Sequence, residues 1–247
     1  MRVLAQRELQ NHGGAHPSTR STRHIELALP AGVTYQTGDH LGVIPRNHLP
    51  LVERVLTRFG LGKDVVIQLR KTGSGKTSLP LDQPIVSELL STYVELQEVA
   101  AQQQIETLAK YTACPPEKMK LLALSGANAS ENVGAKALYR AEVLTKRKSL
   151  LDLLEEFPAC ALPFNLYLEM LPTLRPRYYS ISSSPRHDAQ RCTITVGVVD
   201  APARSGRGQY LGVCSNYLAQ QAPIVKSTPL CATAKQPSAC RRIRKPR

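Results

Sequence analysis

The chain has 247 residues with 42% hydrophobic and 21% charged side chains, so it can bury the core of one or two globular domains. The sequence has no apolar run near the roughly 18 residues of a membrane span, which argues against a membrane protein. The N-terminus has no apolar signal-peptide core, which argues against secretion, and the six cysteines form no C-x-x-C pair, which argues against a zinc site. We therefore expect a cytoplasmic protein with reduced thiols and no metal. The formal charge is +13, but residues 222–247 supply +7 of it, so the rest of the chain is only mildly basic.

The first elements predicted along the chain are strands. Residues Arg23 to Leu29 alternate apolar and polar side chains, which indicates a half-buried strand. The turn residues Pro30 to Gly32 end this strand. A second short strand is predicted up to Pro45, after a turn at Gly38-Asp39.

A helix and two short segments follow. The helix is predicted to begin at Pro50 and to stop at Gly60, because apolar residues from Val52 to Phe59 recur at helical spacing. Val65 to Leu69 is then predicted as a short apolar strand, and Gly73 to Lys76 as a loop.

Helices are predicted from about Val86 to Leu171. Ser149 precedes a leucine-rich run and has Asp152 three residues later, which is the pattern of a capping box. Asn165 is expected to cap a further short helix that ends near Pro172.

The pattern then returns to a period of two residues. Arg177 to Ile181 and Cys192 to Val199 are predicted strands. A turn over Ala201 to Gly208 follows, and then a helix that begins near Ser215. This order of strands, helices and strands again suggests a β-barrel interrupted by an α-helical subdomain.

The run Arg177-Tyr178-Tyr179-Ser180 is the most unusual part of the sequence. Because side chains alternate along a strand, Arg177 and Tyr179 share one face. A guanidinium binds phosphate and a ring stacks on a flat cofactor, so the pair suits an aromatic cofactor joined to a diphosphate. A polar strand that leads into a serine-rich loop is the alternative, and the residues alone leave both open.

A second candidate binding segment is Gly212-Val213-Cys214-Ser215, which lies just before a predicted helix. The N-terminus of a helix presents free N–H groups and the positive end of the helix dipole, which suit a pyrophosphate. A simple turn with a cap is the more common use of such a segment, so these four residues also leave two interpretations open.

These segments resemble a known family. Arg177 to Ser180 resembles the Arg-x-Tyr-Ser flavin motif of the ferredoxin–NADP reductase superfamily. The wider stretch Arg175 to Pro185 is similar to the NADPH–cytochrome P-450 reductase branch, including the reductase half of self-sufficient bacterial fatty-acid monooxygenases. The likeness covers about residues 6–221. Three further segments support this branch: Gly38 to Asn47, Cys114-Pro115-Pro116 and Ser215 to Leu218.

The resemblance implies an α+β fold, in which an antiparallel Greek-key β-barrel holds FAD and carries an inserted α-helical connecting subdomain. The first part of the barrel is expected at residues 1–82, the helical insert at 83–170 and the second part of the barrel at 171–221. Residues 222–247 show no strand alternation, and we expect a basic segment that is disordered or comes from a shifted reading frame.

The resemblance also implies roles for single residues. Arg177 would neutralise the FAD diphosphate, and Tyr179, next to Tyr178 in the motif, would stack on the isoalloxazine ring. Ser180 would lie beside the flavin N5, where hydride arrives, as the catalytic residue. The remaining contacts implied are the backbone of Thr195, Val196 and Gly197 with the flavin's pyrimidine edge, Gly212, Val213, Cys214 and Ser215 with the pyrophosphate, Arg147 with FAD, and Arg23 with an NADP phosphate.

The family passes hydride from NADPH to FAD, and single electrons from FAD to FMN and then to a haem protein. The resemblance therefore implies the FAD-binding part of an NADPH–haemoprotein reductase, whose partners are an FMN-binding flavodoxin-like module and a haem monooxygenase. We expect no FMN module before residue 1 and no NADP-binding domain after residue 221, and therefore a chain that is incomplete for NADPH turnover.

Two alternatives remain. The first is a non-catalytic flavin-binding or docking module of the same fold. The second is a basic nucleic-acid-binding protein, since a cationic surface is typical of that class. The basic residues concentrate in 222–247, which has no aromatic side chain for base stacking, so we do not expect nucleic-acid binding.

Overall fold

A computed structural model describes residues 1–70, 79–80, 83–126, 133–222 and 232–235 of the chain. The loop predicted at Gly73 to Lys76 lies outside these residues. The chain divides into two compact units. The first unit comprises Met1–Pro45, Arg175–Asp200 and Gly212–Arg247, and the second comprises Arg46–Leu174 and Ala201–Leu211.

Strands and helices alternate in blocks along the described residues. The strands are β1 (Arg2–Glu8), β2 (Ser21–Ala28), β3 (His40–Val43), β4 (Arg177–Ser180), β5 (Arg191–Val198), β6 (Asp200–Pro202), β7 (Gln209–Leu211) and β8 (Ala232–Lys235). The helices are α1 (Leu49–Phe59), α2 (Val86–Thr92), α3 (Gln102–Lys110), α4 (Pro115–Ser125), α5 (Val133–Tyr139), α6 (Leu150–Glu156), α7 (Phe164–Met170) and α8 (Val213–Ala219). None of these helices is long and apolar enough to cross a membrane.

Antiparallel sheets form the first unit, which confirms the predicted α+β class. One sheet has the order β1-β2-β5 and another the order β4-β3-β8. An antiparallel bridge between Ile181 and Ile194 links the end of β4 to β5. Beside it, the backbone N–H of Ser182 donates to the oxygen of Thr193 at 2.8 Å. Through this bridge the six strands follow one continuous order, β1-β2-β5-β4-β3-β8.

The alternation seen in the sequence places the core of the first unit. Ile25 and Leu27 of β2 lie opposite Ile194 and Cys192 of β5, and all four side chains are fully buried. Burying an aliphatic side chain of this size contributes about 1.5–3 kcal/mol. The apolar alternation therefore fixes which face of β2 and β5 points inward.

The second unit is helical and has its own core. Residues Leu51, Val52 and Val55 of α1 belong to the same buried cluster as Leu89 and Leu90 of α2. α1 is therefore part of this core, and the unit includes the residues from Arg46 to Leu174. The hairpin of β6 and β7 is also part of the second unit, which includes residues Ala201–Leu211.

Helix boundaries were predicted well where a specific capping residue marks them. α1 ends at Gly60, which adopts the left-handed conformation with φ 62°, a region that favours glycine. At the start of α6, the Ser149 hydroxyl accepts from Asp152 N while the Asp152 carboxylate accepts from Ser149 N. This is the predicted capping box.

Three local predictions are wrong. Val65 to Leu69 forms a single bridge, between Val66 and Ile85, because no neighbouring strand in the described residues extends the ladder. Asn165 lies inside α7, whose N-cap is Pro163. Ser215 lies inside α8, and its hydroxyl is engaged by backbone groups other than those of a cap.

Two strands lie where the sequence indicated none. β1 pairs with β2 along its length and buries Val3. β8 lies within the segment 222–247 and pairs antiparallel with β3, with Gly42 opposite Thr233. Strand pairing uses backbone groups, so an open sheet edge can take up a segment without an apolar alternation. The residues of 222–247 outside β8 and Ala222 are not among those described.

Candidate functional site

The strand β4 carries the Arg-x-Tyr-Ser residues and is positioned by β3. Arg177 lies opposite Val43, and Tyr179 lies opposite Leu41. Val43 and Leu41 are fully buried, and directly opposite residues share a face of the sheet. Arg177 and Tyr179 are therefore on the core-facing side, where each is half-buried, whereas Tyr178 is 51% exposed.

Tyr179 connects β4 to the beginning of α8. A side-chain hydrogen bond joins the Tyr179 hydroxyl to the Cys214 thiol. Burial, and then this hydrogen bond, raise the pKa of Tyr179. Burial also raises the pKa of Cys214 overall, although Tyr179 and the positive charge of Arg177 act to lower it. The structure thus brings together a cation, a neutral phenol and a neutral thiol from the two segments that the sequence analysis singled out.

The turn that starts α8 has no room for a larger residue than glycine. Gly212 is the N-cap, and its N–H donates to Val199 O at 2.8 Å. A Cβ on Gly212 would lie 2.7 Å from Ser215 Oγ and 2.9 Å from the Cβ of Val199. A methyl group at this position would therefore push β5 and α8 apart.

Two polar side chains inside α8 fasten it to the end of β5. Ser215 Oγ accepts from Val199 N at 3.1 Å and donates to Gly212 O at 3.2 Å. Asn216 Nδ2 donates to Val199 O at 2.7 Å. Sequence reasoning missed the role of Asn216, because the sequence does not reveal which distant backbone atoms an amide in a helix contacts.

The backbone of β5 is open on one side at the predicted flavin contacts. Thr195, Val196 and Gly197 pair with β2 on one edge, and β5 is the outer strand of its sheet. The bridge to β4 lies before them, at Ile194, and among the described strands none pairs with their other edge. A Cβ on the exposed Gly197 would meet no atom within 4 Å. Backbone donors and acceptors can therefore meet the polar edge of a flat ring here.

Ser180 has a side-chain partner from β3. The two residues His40 and Ser180 are directly opposite each other, and His40 Nε2 lies 3.2 Å from Ser180 Oγ. Both side chains are exposed. Sequence reasoning did not pair them, since they are 140 positions apart and only the β3–β4 register brings them together.

Arg23 lies on β2 in the first unit. Its Nε is 3.2 Å from Glu8 Oε2, and Glu8 also accepts from Ser21 Oγ at 2.6 Å and from Thr22 N at 2.7 Å. The hydrogen bonds, that of Ser21 first and then those of the Gln10 and Thr22 backbone, lower the pKa of Glu8 to about 2. The Arg23 guanidinium is thus held by a carboxylate that stays charged.

Arg147 lies in the second unit. Its backbone φ of 50° is uncommon for a residue other than glycine. The guanidinium carbon of Arg147 lies 5.9 Å from the ring centroid of Tyr210, a cation–π geometry. The remaining predicted contacts all belong to the first unit.

Comparison with known proteins identifies the family of the chain. Residues 1–217 match the family model described as FAD binding domain. The chain is 52% identical over 220 residues to bifunctional cytochrome P450/NADPH–P450 reductase 2 of Bacillus subtilis (strain 168), which covers 88% of the chain and 20% of that relative.

Two other relatives give the same picture. The bifunctional cytochrome P450/NADPH–P450 reductase of Bacillus cereus is 51% identical over 221 residues, which is 89% of the chain and 19% of the relative. That of Fusarium oxysporum is 40% identical over 217 residues, 87% of the chain and 19% of the relative. The chain spans about a fifth of the length of these curated relatives. Because the family model matches residues 1–217, which include β4 and the beginning of α8, the chain belongs to the FAD binding domain family.

Proposed function

We propose that this chain is the FAD-binding part of an NADPH–cytochrome P450 reductase. The observation that carries the proposal is that one unit holds the hydrogen-bonded pair of Tyr179 and Cys214 together with the positive charge of Arg177, which acts on both groups. It is further supported by the names of the relatives, which are bifunctional cytochrome P450/NADPH–P450 reductases.

The residues present fit the diphosphate half of FAD. The half-buried residue Arg177 supplies a guanidinium, and charge-assisted hydrogen bonds from arginine to phosphate are among the stronger ones in proteins. Beside it, the N–H groups of Val213, Cys214 and Ser215 lie in the first turn of α8, where a helix provides no internal acceptor. We therefore assign these residues to the pyrophosphate.

The residues also fit the flavin ring. Tyr179 offers a ring whose hydroxyl is engaged by Cys214, and the exposed Tyr178 lies next to it. The open edge of Thr195, Val196 and Gly197 suits the donors and acceptors of a pyrimidine. When bound, FAD supplies hydride acceptance from NADPH and the release of electrons one at a time. Ser180 would offer its hydroxyl to the flavin N5, and half-buried Tyr179 would keep water from one face of the ring.

We further propose that the strands form a Greek-key barrel with a helical connecting insert over 83–170. The continuous strand order β1-β2-β5-β4-β3-β8 supports the barrel, in which β8 would meet β1. The separate helical core of the second unit supports the insert.

The proposed partners follow from the same assignment. NADPH would be the hydride donor, with Arg23 at its phosphate, and Arg147 would add an FAD contact. An FMN-binding flavodoxin-like module and a haem monooxygenase would be the electron acceptors. A cytoplasmic location is supported by the cysteines in the described residues, Cys114, Cys160, Cys192 and Cys214, which carry free thiols.

The proposal is tested by FAD binding to the purified 247-residue chain. The chain is incubated with FAD, separated from free cofactor by gel filtration and examined by its absorption spectrum. We expect retained flavin, and an affinity at least about tenfold weaker in Arg177→Ala, because a hydrogen bond to a charged group is worth about 1.5–3 kcal/mol. Arg186→Ala, which removes an exposed arginine of the following loop, is the matched control and should bind as the wild type does.

Failure to retain FAD after reconstitution would reject the proposal. Equal affinity in Arg177→Ala and Arg186→Ala would remove Arg177 from the diphosphate site. Bleaching of the bound flavin by NADPH, supplied together with the missing electron-transfer modules, separates a reductase from a non-catalytic flavin-binding module.

A further inference from the structure

The pair of His40 and Ser180 has a feature that the proposed FAD contacts do not explain. The register of β3 against β4 places the two residues directly opposite each other, and 3.2 Å separates His40 Nε2 from Ser180 Oγ. Opposite residues share a face, so His40 is on the side of β4 that carries Ser180 and Tyr178. A histidine is thus in hydrogen-bond contact with the one hydroxyl assigned to the reacting atom of the cofactor.

A serine hydroxyl has one proton and two lone pairs, and it rotates to suit its partners. A hydrogen bond with His40 limits that rotation. If Nε2 donates, the Ser180 proton stays free for an acceptor such as the unprotonated flavin N5. If Nε2 accepts, the lone pairs of Ser180 stay free for a donor such as the protonated N5. The tautomer of His40 therefore decides which form of N5 the hydroxyl can meet.

We propose that His40 is a positioning residue, which orients the Ser180 hydroxyl and so biases the balance between the oxidised and reduced cofactor. This inference rests on the proposed function, since it takes FAD as the ligand beside Ser180. It assigns to β3 a chemical role in addition to its structural one. His40 acts through Ser180, so its effect on the cofactor has to vanish when the serine hydroxyl is removed.

The test measures the two-electron reduction potential of FAD bound to the purified full chain, by reductive titration against a reference dye. Four forms are compared: wild type, His40→Ala, Ser180→Ala and the double variant. We expect His40→Ala to change the ratio of reduced to oxidised flavin about tenfold at a given potential, which is about 30 mV for a two-electron couple. In the Ser180→Ala background, His40→Ala should add no further change, because the hydroxyl is gone.

A conservative variant and a matched control complete the experiment. His40→Gln retains a hydrogen-bonding group of similar reach and should restore most of the wild-type potential, and it also serves if His40→Ala does not fold. His16→Ala removes an exposed histidine of the β1–β2 loop and should leave the potential unchanged. FAD affinity and Tm are recorded for every variant, so that a general loss of structure is visible.

The inference is overturned if His40→Ala and His40→Gln both keep the wild-type potential, or if His40→Ala shifts it equally with and without the Ser180 hydroxyl. These outcomes leave the proposed function intact, provided that the wild type binds FAD and Arg177→Ala binds it more weakly. A wild-type chain that cannot hold FAD overturns both the inference and the proposed function.

Discussion

Tyr179 is the residue on which the geometry of the proposed site depends. Its hydroxyl is hydrogen-bonded to the thiol of Cys214, the positive charge of Arg177 acts on both groups, and burial keeps the hydroxyl and the thiol protonated. A ring held in this way has few conformations to lose when a flat ligand stacks on it.

Replacing Tyr179 with alanine should therefore weaken FAD binding at least about tenfold, since aromatic pairs are worth about 0.5–1.5 kcal/mol beyond the area that they bury. Fluorescence titration of FAD into the apoprotein measures the effect. Tyr179→Phe keeps the ring and loses only the hydrogen bond to Cys214, so it should bind close to the wild type. If alanine and phenylalanine at this position bind FAD equally well, the ring does not stack on the flavin.

Glu8 gives the molecule a dependence on pH that can be measured. Its pKa is lowered from 4.5 to about 2 by hydrogen bonds, that of Ser21 first, so its charged form stabilises the fold above pH 4.5 and this contribution is lost as the pH falls toward 2. Glu8→Gln should lower Tm at pH 7, and the difference from wild type should shrink between pH 4.5 and 2. Thermal unfolding followed by circular dichroism across this range checks the prediction, with exposed Glu98→Gln as the control. A Tm difference that does not depend on pH would contradict it.

At the level of single residues, the sequence allowed some contacts to be predicted and hid others. The period of two along β4 was enough to place Arg177 and Tyr179 on one face. The contact of Tyr179 with Cys214 and that of Ser180 with His40 were hidden, because both depend on packing and strand register between distant segments. Pattern within one segment carries no information on such pairings.

Among the elements, α6 offers the clearest test of a prediction made from sequence. The Ser149 hydroxyl satisfies Asp152 N, and the Asp152 carboxylate also takes a hydrogen bond from Arg54 Nη2 at 2.9 Å. Ser149→Ala should destabilise the helical unit by about 1–2 kcal/mol, as the loss of an N-cap usually does. Urea unfolding followed by helical circular dichroism measures this change, and Ser149→Thr should retain most of the stability. An unchanged midpoint in Ser149→Ala would show that the cap contributes nothing.

Element prediction succeeded where local chemistry decides the outcome and failed where a neighbour decides it. Gly60 and Ser149 mark helix ends by their own conformation or hydrogen bonds, so their segments were placed correctly. Val65 to Leu69 has the composition of a strand but lacks a partner to extend it among the described strands, and β8 has a partner but lacks the composition. Both failures come from the same cause, because a strand is defined by what it pairs with.

For the whole molecule, β8 predicts how the end of the chain affects the first unit. Deleting residues 222–247 removes β8 and opens the edge of β3, whereas deleting 236–247 leaves β8 in place. We expect the longer deletion to lower Tm and FAD retention and to increase aggregation, since an unpaired edge strand invites pairing between molecules. The shorter deletion is the matched control and should resemble the full chain. Equal Tm values in the two deletions would show that β8 does not support the sheet.

The overall order of strands, helices and strands was predictable from periodicity, whereas the insert expected at 83–170 stays a prediction. The second unit takes in α1, whose apolar side chains belong to the helical core. It also takes in the hairpin of β6 and β7, where Arg207 lies 3.7 Å from Glu155 and Leu211 O accepts from Gln97 Nε2 at 3.1 Å. A unit defined by contacts cannot be delimited by composition alone.

The pairing of β3 with β4 has a consequence for how the protein is made. His40–Val43 leaves the ribosome well before Arg177–Ser180, and the helical residues come between them. At a synthesis rate of about 5–20 residues per second, on the order of 10 s pass between the synthesis of β3 and that of β4. During that interval the helices can condense around their own leucines, while the nascent β1, β2 and β3 remain without the strands that complete their sheets. We therefore expect a chaperone that holds incompletely folded chains to bind within Met1–Pro45.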